Sequence, residues 1–132
     1  MISDETNAQN DETVAYENET KAIQAAKLAA GITYPLLVVE ATHPTDPNAR
    51  GPRFAFRRPN PAEWHRYRSE SVTNDPAVKA NAFQTIVIPC CVFPDRAAFL
   101  GAVQERPGIV ELCGSELVEY AGAERAKKVE RL

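Results

Sequence analysis

The rhythm of apolar and polar positions changes several times along this chain of 132 residues, and each change marks an element. Around residue 54 the period is two. Phe54 and Phe56 alternate with Arg53 and Arg57, as in a half-buried strand. Arg58 precedes Pro59 and so stays extended. A helix start follows: Asn60 suits the N-cap, Pro61 the first helical position, and Glu63 the positive end of the helix dipole. The helix predicted from about 61 to 71 carries Trp64, Tyr67 and Arg68. Upstream, Thr20 to Ala30 is rich in Ala, Lys and Gln and predicts a short helix docked by Ile23, Ala26 and Leu28, with Gly31 ending it. Tyr34 to Ala41 predicts a strand, and Pro35 places it at a sheet edge. Residues 42 to 52 hold three prolines and a glycine and form a loop, so about 34 to 41 and 53 to 58 make a two-stranded antiparallel hairpin.

Downstream the period is helical. Asp75-Pro76 opens a helix whose Val78, Ala82, Ile86 and Cys90 recur at spacing four, flanked by Phe83, Val87 and Cys91. Pro89 predicts a kink or an early stop. Phe93-Pro94-Asp95 breaks the chain again, and Asp95 caps a helix carrying Ala98, Phe99, Leu100 and Val103. Pro107-Gly108 ends that helix. The last one presents Ile109, Leu112, Cys113, Leu117 and Val118 and closes at Gly122. The fold class expected is α+β, mainly helical: a hairpin followed by four helices. Its core is expected from Phe54 or Phe56, Trp64, Phe83, Ile86, Val87, Phe99, Leu100, Val103, Ile109 and Leu112.

Charge adds the ends. Residues 1–20 hold Asp4, Glu5, Asp11, Glu12, Glu17 and Glu19, with no Lys or Arg before Lys21. So little apolar content predicts a disordered acidic tail. A sharper reading has it lie transiently over the arginine-rich stretch. Residues 21–122 then form a single domain, and residues 123–132 a frayed, charged C-terminus. The net charge of -3 argues against a dedicated nucleic-acid binder. No run has the apolar length to cross a bilayer, and the acidic start does not resemble a secretory signal. Three cysteines, two of them adjacent, do not suggest a disulfide framework and fit a reducing cytoplasm.

Candidate chemistry is sparse. Cys90-Cys91 and Cys113 lack zinc spacing, His43 and His65 stand in a loop and on a helix, and neither Ser69 nor Ser71 has a nucleophile-elbow context. The glycines form no phosphate-cradling loop. The expectation is no metal, no cofactor and no catalytic residue. The notable feature is residues 50 to 68, where Arg50, Arg53, Arg57, Arg58, Arg66 and Arg68 face Glu63 alone, interleaved with Trp64 and Tyr67. Three readings stand: the aromatic residues pack the helix onto the hairpin; the stretch is a protein-binding hot spot; or bases of a single strand stack there, with arginines on phosphate. The candidate partner-binding residues are Arg57, Arg58, Trp64, Tyr67 and Arg68.

The order of these marks resembles the small tail assembly chaperones of tailed bacteriophages. It comprises the Ala/Lys-rich helix ending in glycine (Ala22 to Gly31), the strand Tyr34 to Ala41, Arg57-Arg58-Pro59, Glu63-Trp64 with Tyr67, and Val92-Phe93-Pro94-Asp95. Pro107-Gly108 and a last helix ending at Ala121-Gly122 complete it. The resemblance implies a non-enzymatic protein that binds the tape-measure protein and helps recruit tail-tube subunits during tail morphogenesis. It would work in the cytoplasm of the infected bacterial host, be absent from the mature virion, and leave self-association open. The alternative is a small accessory protein that binds single-stranded nucleic acid through residues 50–68. The resemblance also implies that a longer form is made by frameshifting, for which the codons of Lys127-Lys128 are a candidate slippery template.

Overall fold

The computed structural model describes residues 4–122 and 130–131, with residues 4–10 described by backbone alone. Its elements are helices α1 (Asp4–Ala29), α2 (Pro61–Ser71), α3 (Pro76–Ala80), α4 (Ala82–Cys90), α5 (Arg96–Glu105) and α6 (Gly108–Ala121), with strands β1 (Leu37–Glu40), β2 (Arg53–Phe56) and β3 (Cys91–Phe93).

The helix boundaries follow local chemistry. At α2, the Asn60 side chain accepts from the Glu63 N–H while the Glu63 carboxylate accepts from the Asn60 N–H, a closed capping box. Asp75 and Asp95 cap α3 and α5 in the same way, accepting from the N–H groups of Ala77 and Ala98. At the end of α1, Gly31 adopts φ 71°. Its N–H bonds Leu28 O, and that of Ile32 bonds Lys27 O, the paired bonds of a Schellman turn.

The sheet is antiparallel, in the order β1-β2-β3. It therefore has one strand more than the expected hairpin. Pro89 stops α4 at Cys90, and the three residues that follow pair with β2. The early stop expected at Pro89 is thus found, while the helix expected to run on from Asp75 is also divided at Asn81, which separates α3 from α4. Five helices rather than four follow the hairpin.

Every residue of β2 is buried. Alternation sends Phe54 and Phe56 to one face, where both meet Phe99 of α5 edge-on with centroids 5.5 and 5.9 Å apart. Val39 joins them from β1, opposite Phe54. Ile86, Val87 and Cys90 of α4 and Ile109, Cys113 and Leu117 of α6 complete this core, and α2 adds Tyr67. Burying a side chain the size of Phe or Ile contributes about 1.5–3 kcal/mol each. Leu100 and Leu112, expected inside, are each 41% exposed. The buried stripe of α6 runs Ile109, Cys113, Leu117, and that of α5 centres on Phe99, so each leucine lies off its helix's inward face.

The other face of β2 carries Arg53 and Ala55, and α1 packs there. Residues 4–20, expected to be disordered, continue the helix of residues 20–29 without a break. Acidic residues near a helix N-terminus are favourable with the dipole, and docking of the other half provides the nucleus. The inward stripe is the buried Ile23 with the half-buried Tyr16, Glu19, Thr20 and Ala26, mostly polar, and Leu28 points to solvent at 82% exposure. Residues 1–3 and 123–129, with the Lys127-Lys128 pair, lie outside the described residues.

Candidate partner-binding face

The corner between β2 and α2 is fastened by one ion pair. Arg57 leaves the end of β2 and holds Glu63 in a fork, Nη1–Oε1 and Nη2–Oε2 both 2.8 Å. Its remaining N–H groups reach Arg58 O at 3.0 Å and Pro89 O at 3.1 Å. The Arg57 N–H donates to Cys90 O at 2.9 Å. One side chain thus ties the strand, the start of α2 and the end of α4. The Arg57 hydrogen bond holds the Glu63 carboxyl below its usual range, against the opposing effect of burial. Arg57, expected to touch a partner, is 29% exposed and makes its hydrogen bonds within the fold, and Tyr67 is buried against Phe83, ring stacked on ring at 6.0 Å.

The other candidates lie at the surface. Arg58 is exposed, with its guanidinium 4.4 Å above the Tyr34 ring and 5.9 Å from that of Tyr120. The Arg58 N–H donates to the Tyr34 hydroxyl at 3.2 Å, and the Tyr120 hydroxyl donates to Pro35 O at 2.5 Å. Trp64 is half-buried. A Cβ on Gly122 would lie 3.2 Å from its Cη2, so the last turn of α6 shuts against the indole. A shallow hollow lined by Pro59, Trp64, Ala121 and Gly122 adjoins it. Arg68 is exposed on α2, and Arg66 pairs with Glu70, which also accepts from the Thr85 hydroxyl. The sequence reading missed Tyr34 and Tyr120. Their signals were Tyr34 beside Pro35 at the mouth of β1, and Tyr120 two residues before the glycine that ends α6.

The remaining arginines of the stretch, Arg50 and Arg53, lie under α1. Arg53 Nε meets Glu19 Oε1 at 2.5 Å, and its Nη2 reaches Tyr16 O and Thr20 Oγ1 at 2.7 and 2.8 Å. Both guanidinium groups lie over the Tyr16 ring, at 4.1 and 3.8 Å from its centroid. Acidic α1 thus covers one end of the arginine-rich stretch.

Reactive groups do not converge. No set of three or more His, Cys, Asp or Glu side chains placed to hold a metal occurs among the described residues. His43 Nδ1 accepts the N–H groups of Thr45 and Asp46 and so closes a turn in the 42–52 loop. The three thiols are free, and burial pushes each of them up to about 12. No helix among the described residues is long and apolar enough to cross a membrane. Arginine forks and tyrosine faces can grip a carboxylate, a ring or a backbone carbonyl of another macromolecule.

Neither a curated protein nor a solved structure matches the sequence. One family model does, over residues 27–130, leaving out all but the last turn of α1. Since that match spans most of the chain, the protein belongs to the family described as a domain of unknown function, DUF6848.

Proposed function

We propose that this protein is a non-enzymatic client-binding module of the tail assembly chaperone kind, which holds the tape-measure protein and helps bring tail-tube subunits to it. The observation that carries this reading is the face built by Arg58, Tyr34, Tyr120 and Trp64. Arg, Tyr and Trp dominate binding hot spots because each offers a large contact area with a directional polar group. Here Arg58 and the two tyrosines cluster, and Trp64 lines an open hollow with Pro59, Ala121 and Gly122 between the start of α2 and the end of α6. The order of motifs along residues 22 to 122 supports the same reading. On this proposal the protein works in the cytoplasm of the infected host and leaves the tail before the virion matures. The single-strand-binding alternative is disfavoured by the pairing of the arginines. Arg50, Arg53, Arg57 and Arg66 each have a carboxylate partner, and Tyr67 is buried away from any base.

Co-expression tests the proposal. The chain, carrying an affinity tag, is produced with the tape-measure and tail-tube proteins encoded beside it, and complexes are isolated. Stable co-purification of the tape measure, lost on Arg58→Glu, is the expected result. A chain that purifies alone, or one that binds single-stranded DNA with a steep loss on added salt, would overturn the proposal.

A further inference from the structure

Arg53 has three side-chain hydrogen bonds at 2.5–2.8 Å, and all three partners, Glu19, Tyr16 O and Thr20, belong to α1. The arginine is 8% exposed because that helix lies over it. Glu12, one turn before Tyr16, accepts the backbone N–H of Arg50 at 2.6 Å. The contacts of this half of α1 therefore come from Glu12, Tyr16 and Glu19, at i, i+4 and i+7 on one helix face. They meet a cradle made of the Arg50 N–H and the two guanidinium groups.

Among the described side chains, no buried apolar residue anchors this half of the helix. Residues 11–20 contain no fully buried side chain, and the first buried apolar residue among the described ones is Ile23. A solvent-open hollow lies beside the contact, between Glu12, Tyr16, Glu19, Arg50 and Pro52, so water reaches the Glu19 end of the Arg53–Glu19 pair. Undocking this half would return Arg53 to water rather than strand it as a buried charge, which removes the usual penalty for breaking a buried pair. One ion pair, Arg53–Glu19, joins this half of α1 to the cradle, and its Glu19 end is 30% exposed, so added salt weakens it.

We infer that the Arg50–Arg53 cradle is a docking site for an acidic helix of another protein, one presenting carboxylate, aromatic and carboxylate at i, i+4 and i+7, and that the first half of α1 is its tethered occupant. The tether keeps the cradle closed until a helix of matching chemistry displaces α1. This inference stands apart from the tail-assembly reading, because its site is the opposite face of the sheet from the core helices and its partner is defined by the carboxylate–aromatic–carboxylate pattern it presents.

The test uses the full chain. A fluorescein-labelled peptide with the sequence of residues 8–24 is titrated into the wild-type protein and into the Glu12→Gln/Glu19→Gln variant, and anisotropy is read. The variant, its own strap weakened, is expected to bind the peptide about ten-fold more tightly than wild type at low salt, the difference closing at high salt. Adding Arg50→Gln/Arg53→Gln to the variant is expected to remove binding. Equal binding by wild type and variant, no binding by either, or binding that survives loss of both arginines would overturn the inference. Hydrogen exchange on the unmodified chain gives a readout free of folding effects. Amides of residues 11–20 should exchange faster as salt rises while those of α6 do not, and salt-independent protection of both would also overturn it.

Discussion

Glu63 is held by four donors: both arms of Arg57, the Asn60 N–H, and the Cys90 thiol at 3.9 Å. Its folded-state pKa is depressed, chiefly by the Arg57 hydrogen bond. Stability from a depressed carboxyl is present above the unfolded value, about 4.3, and is lost as pH falls through the lower folded value. Glu63→Gln should therefore lower stability by about 1–3 kcal/mol at pH 7, and the gap to wild type should narrow as pH falls below about 4. Urea midpoints between neutral pH and pH 3 check this, and a gap that stays constant would contradict it. The cysteines give a second prediction. With each thiol near 12, raised by burial, roughly one in ten thousand is thiolate at pH 8. Native protein should react very slowly with a disulfide reagent and take up three equivalents in urea. Rapid labelling of the folded protein would show these thiols to be accessible. That Arg57 would be consumed by Glu63 was only partly legible. Asn60 as the N-cap and Glu63 in the first turn were visible in the sequence, but the carboxylate's pairing with Arg57 depends on how β2 meets α2.

Helix ends were legible because their causes are local. Asn60, Asp75, Asp95 and Gly31 do their work within a few residues, and each sits where its chemistry places it. Strand β3 was not, since three residues carry no periodicity and their pairing with β2 comes from more than thirty residues away. Nor was the first half of α1, whose stripe is Tyr, Glu and Thr rather than apolar. The α4–α6 packing gives a prediction at this scale. A Cβ at Gly114 would lie 2.6 Å from the Phe83 ring and 2.9 Å from Phe83 Cβ, too near the Phe83 backbone for a rotamer change to relieve. Gly114→Ala gains about 1 kcal/mol of helix propensity, yet overpacking costs about 1–3 kcal/mol. The net effect should be destabilising, and thermal melts with Gly101→Ala as a control test it, because a Cβ at Gly101 meets nothing within 4 Å. Gly114→Ala as stable as Gly101→Ala would show that the two helices can part without cost.

Across the whole molecule, the sheet separates two arginine groups that the sequence presents as one stretch. Arg50 and Arg53 serve α1, and Arg57 braces the corner. Arg58 meets tyrosines from the two ends of the domain, which the Tyr120–Pro35 hydrogen bond joins across 85 residues. A convergence over that distance leaves no local mark. That Arg58 and Arg68 lie at the surface was legible from composition, whereas the contacts of Arg57, Trp64 and Tyr67 within the fold were decided by packing. The central claim is that the Arg58 face holds a long helical client, and one titration tests it most directly. Purified full-length chain is titrated calorimetrically with helical segments of the tape-measure protein from the same genome, alongside Arg58→Glu. The expectation is saturable binding, weakened about ten-fold or more by Arg58→Glu, with the variant's stability within about 0.5 kcal/mol of wild type. No saturable binding, or equal affinity for the variant, would contradict the claim.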